Sequence, residues 1–96
     1  MILEQVVLPV RPGEEAAFEA ALAQARPLIT RQPGFGGMEI RPSLDRAGDY
    51  LLLVKWENVD AHREGFRRSA DYQQWRALLH PFYDPVPDVA YFGEPL

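Results

Sequence analysis

Apolar and polar positions change period several times along the chain, and each change marks an element. Residues 2–10, rich in Val, Ile and Leu, predict a strand that Pro12-Gly13 stops. From Glu14 the spacing becomes three and four, which puts Phe18, Ala21, Leu22, Ala25 and Ile29 on one side of a helix. Glu14 and Glu15 suit the positive end of that helix, and Pro27 should kink it, because proline removes one backbone donor and crowds the preceding turn. The run RQPGFGG ends it. A second strand follows in FGGMEIRPSLD, irregular around Gly36-Gly37, and a hairpin loop at RAGD leads into a third, YLLLVKW. Asn58 is placed to cap a short helix over residues 59–67, and Ser69 to cap the next. That next helix carries an apolar stripe of Tyr72, Trp75, Leu78, Leu79 and Phe82. The prolines of HPFYDPVPD demand extended chain, and VAYF supplies a last short strand.

The order strand, helix, strand, strand, helix, strand predicts an α+β fold, the ferredoxin-like split βαβ with a four-stranded antiparallel sheet and helices on one face. Two helices cannot cover both faces of such a sheet. Yet the third strand is apolar on both sides, with Tyr50, Leu52, Val54 and Trp56 alternating with Leu51 and Leu53. Strand one does the same, with Ile2, Val6, Leu8 and Val10 opposed by Leu3 and Val7. Apolar patches of that extent are unusual on a monomer, so the expected cover is a second copy of the chain in a face-to-face homodimer.

Length and composition restrict the function. At 96 residues the chain is expected to be a single domain over residues 1–96. A net charge of −4 offers no clustered cations for phosphate, so no nucleic acid partner is expected, and Arg67-Arg68 reads as a solvated helix face. No run reaches the roughly 18 apolar residues of a membrane span, and MILEQVVLPV lacks the positive start of a signal peptide. No membrane and a cytoplasmic location are therefore expected. The absence of cysteine removes disulfides, thiolate catalysis and Cys-ligated metal.

His62 and His80 are the only histidines, and no close metal-ligand spacing surrounds them, so no metal is expected. His80 reads as a helix-end residue. His62, one turn before Phe66, can face a cavity beneath its helix. Neither Ser43 nor Ser69 lies in a nucleophile elbow, and PGFGG lacks a phosphate-loop lysine. The aromatic set Trp56, Phe66, Tyr72, Trp75, Phe82 and Tyr83 is by default core. Rings with N–H and O–H tips around a cavity would also suit a flat aromatic ligand.

The stretch YLLLVKWENVDAHREGFRRSADYQQWRALLHPFYDPVPDV resembles the core of the antibiotic biosynthesis monooxygenase family. KWE at the end of strand three, the AH…GF…S…Y…W helix pattern, and the upstream RPGEEAAFEAAL and QPGF carry the likeness over essentially the whole chain. The resemblance implies a dimeric α/β barrel. It also implies either oxygenation of quinols and polyketide anthrones without a cofactor, or haem degradation. The haem-degrading branch has an Asn in strand one, a Trp in the helix after strand three and a His in the next helix. This chain offers Gln5-Val6, Gly65-Phe66 and Trp75-Arg76 near those places, so the resemblance implies no haem. Relatives often end in VEH and an aromatic, where this chain has VAYF.

The expected activity is a cofactor-independent monooxygenase acting on a small phenolic, quinol or polyketide-like aromatic substrate, with no metal, flavin or haem. A deprotonated electron-rich ring can itself reduce dioxygen, so the protein need only bind it, take a proton and stabilise the anion. His62 is the expected base, and Tyr72 and Trp75 would orient the ring. Asn58 or Trp56 would donate to the developing oxyanion, and Phe66 would complete the pocket with Trp56 and Trp75. The alternative is a non-catalytic dimer of the same fold that binds a small ligand or serves in stress.

Overall fold

A computed structural model describes residues 1–96. The chain runs β1 (Ile2–Pro9), α1 (Glu15–Thr30), β2 (Phe35–Pro42), β3 (Asp49–Trp56), a π-helical turn (Ala61–Phe66), α2 (Ala70–Leu79), a 3-10 turn (His80–Phe82) and β4 (Val89–Phe92). The strands form one antiparallel sheet in the order β2-β3-β1-β4. This is the α+β arrangement that the element order predicts. Within one chain the sheet stays open and does not close into a barrel.

Alternation along the central strands sorts the side chains. Val6 and Leu8 of β1 and Tyr50, Leu52, Val54 and Trp56 of β3 are buried on the helix-covered face. They meet Phe18, Leu22, Ala25, Leu28 and Ile29 of α1 and Trp75 and Leu79 of α2. α1 continues through Pro27 to Thr30 and ends at the RQPGFGG run, as expected. Pro27 and Ala23 both lie on its exposed side, where a carbonyl left without a helical partner can meet water. On the opposite face of the sheet Leu51 and Leu53 are half-buried, and Val7 and Phe92 are 48% and 50% exposed.

Three local features position the site. The register of β2 against β3 slips between Phe35 and Gly37, and Gly37 takes φ +146°, a conformation that side chains rarely adopt. Gly34, at φ +82°, approaches the π-helical turn so closely that a Cβ there would lie 2.8 Å from Cβ of Ala61. In that turn the N–H of Arg67 donates to the carbonyl of His62 at 2.9 Å, five residues back. Asn58 Oδ1 accepts from the Ala61 N–H at 2.8 Å, and Ser69 Oγ accepts from the Tyr72 N–H at 3.1 Å, so both expected caps form. The expected α-turns over 59–67 are thus largely π-helical, a form found often at functional sites.

The C-terminal segment returns along the end of β1. Val10 bridges Tyr83, and the Asp84 N–H donates to the Pro9 carbonyl at 2.9 Å. Residues 83–89 therefore run beside the mouth of the space between sheet and helices.

Candidate functional site

Glu4 shares the inward side of β1 with Ile2, Val6 and Leu8, and it is only 4% exposed. A buried carboxyl needs partners, and here it has them. The indole N–H of Trp56 donates to Glu4 Oε1 at 2.8 Å, and His62 Nε2 lies 3.4 Å from Oε2. The other ring nitrogen, Nδ1, is 2.6 Å from the hydroxyl of Tyr91. His62 is also 4% exposed, with its ring 5.4 Å from that of Trp56 between centroids. Strand pairing accounts for the convergence, since Glu4 on β1 stands opposite Tyr91 on β4 and the π-helical turn lays His62 across both.

Burial sets the protonation of this group. Desolvation pushes the Glu4 carboxyl up to about 7, against the opposing effects of the Trp56 hydrogen bond and the Arg67 charge. The same desolvation, helped by Arg67 and Arg63, holds His62 down to about 4. Both groups therefore favour their neutral forms, and the long Glu4–His62 contact is not a tight ion pair. Near neutral pH the proton that comes and goes is the one on Glu4. Burial, then the Glu4 charge, raises the Tyr91 hydroxyl, which keeps its proton.

Next to this chain lies a cavity of about 120 Å³. Val6, Leu8 and Leu52 form its sheet side, and Phe66, Tyr72 and Trp75 its helical wall. Phe66 meets both Tyr72 and Trp75 edge to face, at 5.3 and 5.7 Å between centroids. Glu4 and His62 reach it from one end, His80 and Tyr83 contribute further lining, and the exposed Arg67, Val86 and Val89 border it. No group of three His, Asp or Glu side chains converges anywhere in the chain to hold a metal ion.

Of the residues singled out from sequence, His62, Phe66, Tyr72 and Trp75 come together around this cavity. Trp56 and Asn58 do not line it. Trp56 is wholly buried behind Glu4 with its N–H engaged there, so it is not free to donate to a substrate anion. Asn58 is exposed, and its side-chain oxygen caps the helical turn. His80 lines the cavity as well as ending α2. The pair Arg67-Arg68 divides: Arg68 bonds Glu64 at 2.9 Å on the surface, while Arg67 turns to the cavity. Glu4, Arg67 and Tyr91 escaped the sequence reading. For Glu4 a signal existed, an acid in phase with the buried positions of a strand. Tyr91 had none before the register of β4 was known.

A buried carboxyl poised near neutrality beside a ring-walled cavity can accept a proton from a bound acid and pass it through His62 toward Tyr91. The sequence model of the family described as antibiotic biosynthesis monooxygenase matches residues 1–78. Protein YczJ of Bacillus subtilis (strain 168) is 42% identical over 94 residues, covering 98% of this chain and 99% of that protein. A crystal structure from Bordetella bronchiseptica, named for the same family, is 42% identical with a TM-score of 0.94, over 99% of this chain and 97% of that one. SnoaB, a cofactor-independent oxygenase from Streptomyces nogalater, superposes with a TM-score of 0.85 at 20% identity, over 99% of this chain and 93% of that one, a likeness of fold alone.

Proposed function

The chain belongs to the antibiotic biosynthesis monooxygenase family, and from that footing we propose that it oxygenates a small phenolic, quinol or polyketide-like aromatic substrate without a cofactor. The observation that carries this reading is the Glu4–His62–Tyr91 chain ending on an aromatic-walled cavity. The description of SnoaB as a cofactor-independent oxygenase supports it.

A ring C–H ortho or para to a hydroxyl, ortho in a hydroquinone, or an activated methylene between rings, becomes C=O or its enol. One atom of dioxygen enters the product and the other leaves as water with two substrate hydrogens. The electrons come from the substrate once it is an anion, so the first task of the protein is to take a proton. The sequence put that task on His62 alone. Both nitrogens of His62 have protein partners, whereas the Glu4 carboxylate keeps lone pairs free beside its two contacts. Glu4, near pH 7, is therefore the better-matched base, and His62 with Tyr91 moves the proton onward. Phe66, Tyr72 and Trp75 hold the ring and exclude water around the anion.

The functional unit in this reading is a homodimer, whose partner covers the outer sheet face around Leu51, Leu53, Val7 and Phe92. The test is oxygen uptake by the purified protein with a panel of hydroquinones, naphthoquinols and anthrones. A rate well above spontaneous oxidation on at least one is expected. Rates equal to the spontaneous one throughout, with binding retained, would leave a small-ligand binder and overturn the enzymatic reading.

A further inference from the structure

Four of the nine arginines have a carboxylate partner: Arg31 bonds Asp71, Arg41 bonds Glu39, Arg68 bonds Glu64, and Arg11 lies near Asp84. Arg67, like Arg26, Arg46, Arg63 and Arg76, has no carboxylate within ion-pair distance, although the chain carries more acids than bases. Of these five it is the one that borders the cavity, and its charge reaches Glu4, His62 and His80. An unpaired guanidinium at the edge of a mostly apolar, ring-lined space is a ready partner for an anion.

The size of that space bounds what lies inside. An apolar cavity of roughly 150 Å³ takes one benzene ring. At about 120 Å³, this one has room for no more than a single ring, and further fused rings would stand outside its opening. We propose that the substrate is a monocyclic phenol or hydroquinone bearing a carboxylate, with the ring against Phe66, Tyr72 and Trp75 and the carboxylate on Arg67. This deepens the oxygenase reading and rests on it for the word substrate, while the binding preference stands by itself. The negative charge of the ligand would otherwise meet Glu4 in an acidic protein, and Arg67 offsets both.

The probes are 2,5-dihydroxybenzoate and the neutral hydroquinone, titrated without oxygen into the purified protein and followed by the fluorescence of Trp75 in the cavity wall. The dihydroxybenzoate is expected to bind roughly tenfold or more tightly, the scale of a charge-assisted hydrogen bond. In Arg67→Gln that advantage should vanish while the hydroquinone affinity holds, and Arg67→Lys should keep part of it. Arg67 is exposed, so both variants should fold. Equal affinities in the parent protein, or an advantage untouched in Arg67→Gln, overturn the proposal. Oxygen uptake measured separately tells the two readings apart: anaerobic preference without turnover defeats the oxygenase and leaves the ligand class standing.

Discussion

Glu4 and Tyr91 face each other across the β1–β4 ladder, and one histidine, His62, touches both. The carboxyl is sealed under the helical turn, whereas Tyr91 is half-buried near the edge strand. A proton leaving the cavity therefore has a short route outward through side chains, with no water needed inside. Trp56 fixes the inner end by its bond to Glu4.

Replacing Glu4 by Gln keeps an oxygen to accept from Trp56 and removes the base. Turnover on an accepted quinol should fall by roughly 10²-fold or more. In the parent protein kcat/KM should rise with pH through about 7, and the variant should lose that limb. Oxygen-uptake rates from pH 5.5 to 8.5 provide the check.

His62→Ala should lower the same rate by roughly 10²-fold, because the proton on Glu4 loses its way out. The pH position of the residual activity distinguishes its role. If Glu4 accepts the proton first, the limb near 7 survives in this variant, displaced but present.

Stability should show the two buried groups pulling in opposite directions. Glu4 is held at about 7 against 4.5 in the open chain, so between those values the folded state binds more protons and stability falls as pH rises. His62 is held at about 4 against 6.5, so there the unfolded state binds more protons and stability rises with pH. The two contributions offset each other between pH 4.5 and 6.5. Relative to the parent, Glu4→Gln should gain stability as pH rises from 4.5 to 7, and His62→Gln should lose it as pH rises from 4 to 6.5. Urea unfolding at several pH values measures both slopes.

Tyr91→Phe removes the hydroxyl beside His62 Nδ1 and leaves a buried nitrogen without its partner. A cost of about 1–3 kcal/mol is expected in urea unfolding, with the sheet retained.

Sedimentation should show a dimer at micromolar concentration, with more than roughly 2,000 Å² buried in total. Leu53→Asp, on the outer face of β3, should split it, while the inner core keeps each chain folded. A stable, soluble monomer of the parent chain would end the homodimer proposal.

Periodicity by itself determined the elements of this protein, because the side chains that make a strand or helix amphipathic are neighbours in sequence. The caps at Asn58 and Ser69 and the aromatic wall of Phe66, Tyr72 and Trp75 follow from the same local spacing. Local spacing tells which side a residue faces but not how deep it lies. For that reason Trp56 belongs behind Glu4, away from the cavity, and Asn58 remains on the surface. The base and its relay depended on pairing between distant strands: Trp56 reaches back 52 residues to Glu4, and Tyr91 meets His62 across 29. Only the closed register β3-β1-β4, together with the π-helical turn laid over it, brings those groups together and removes the water that would otherwise hold Glu4 ionised.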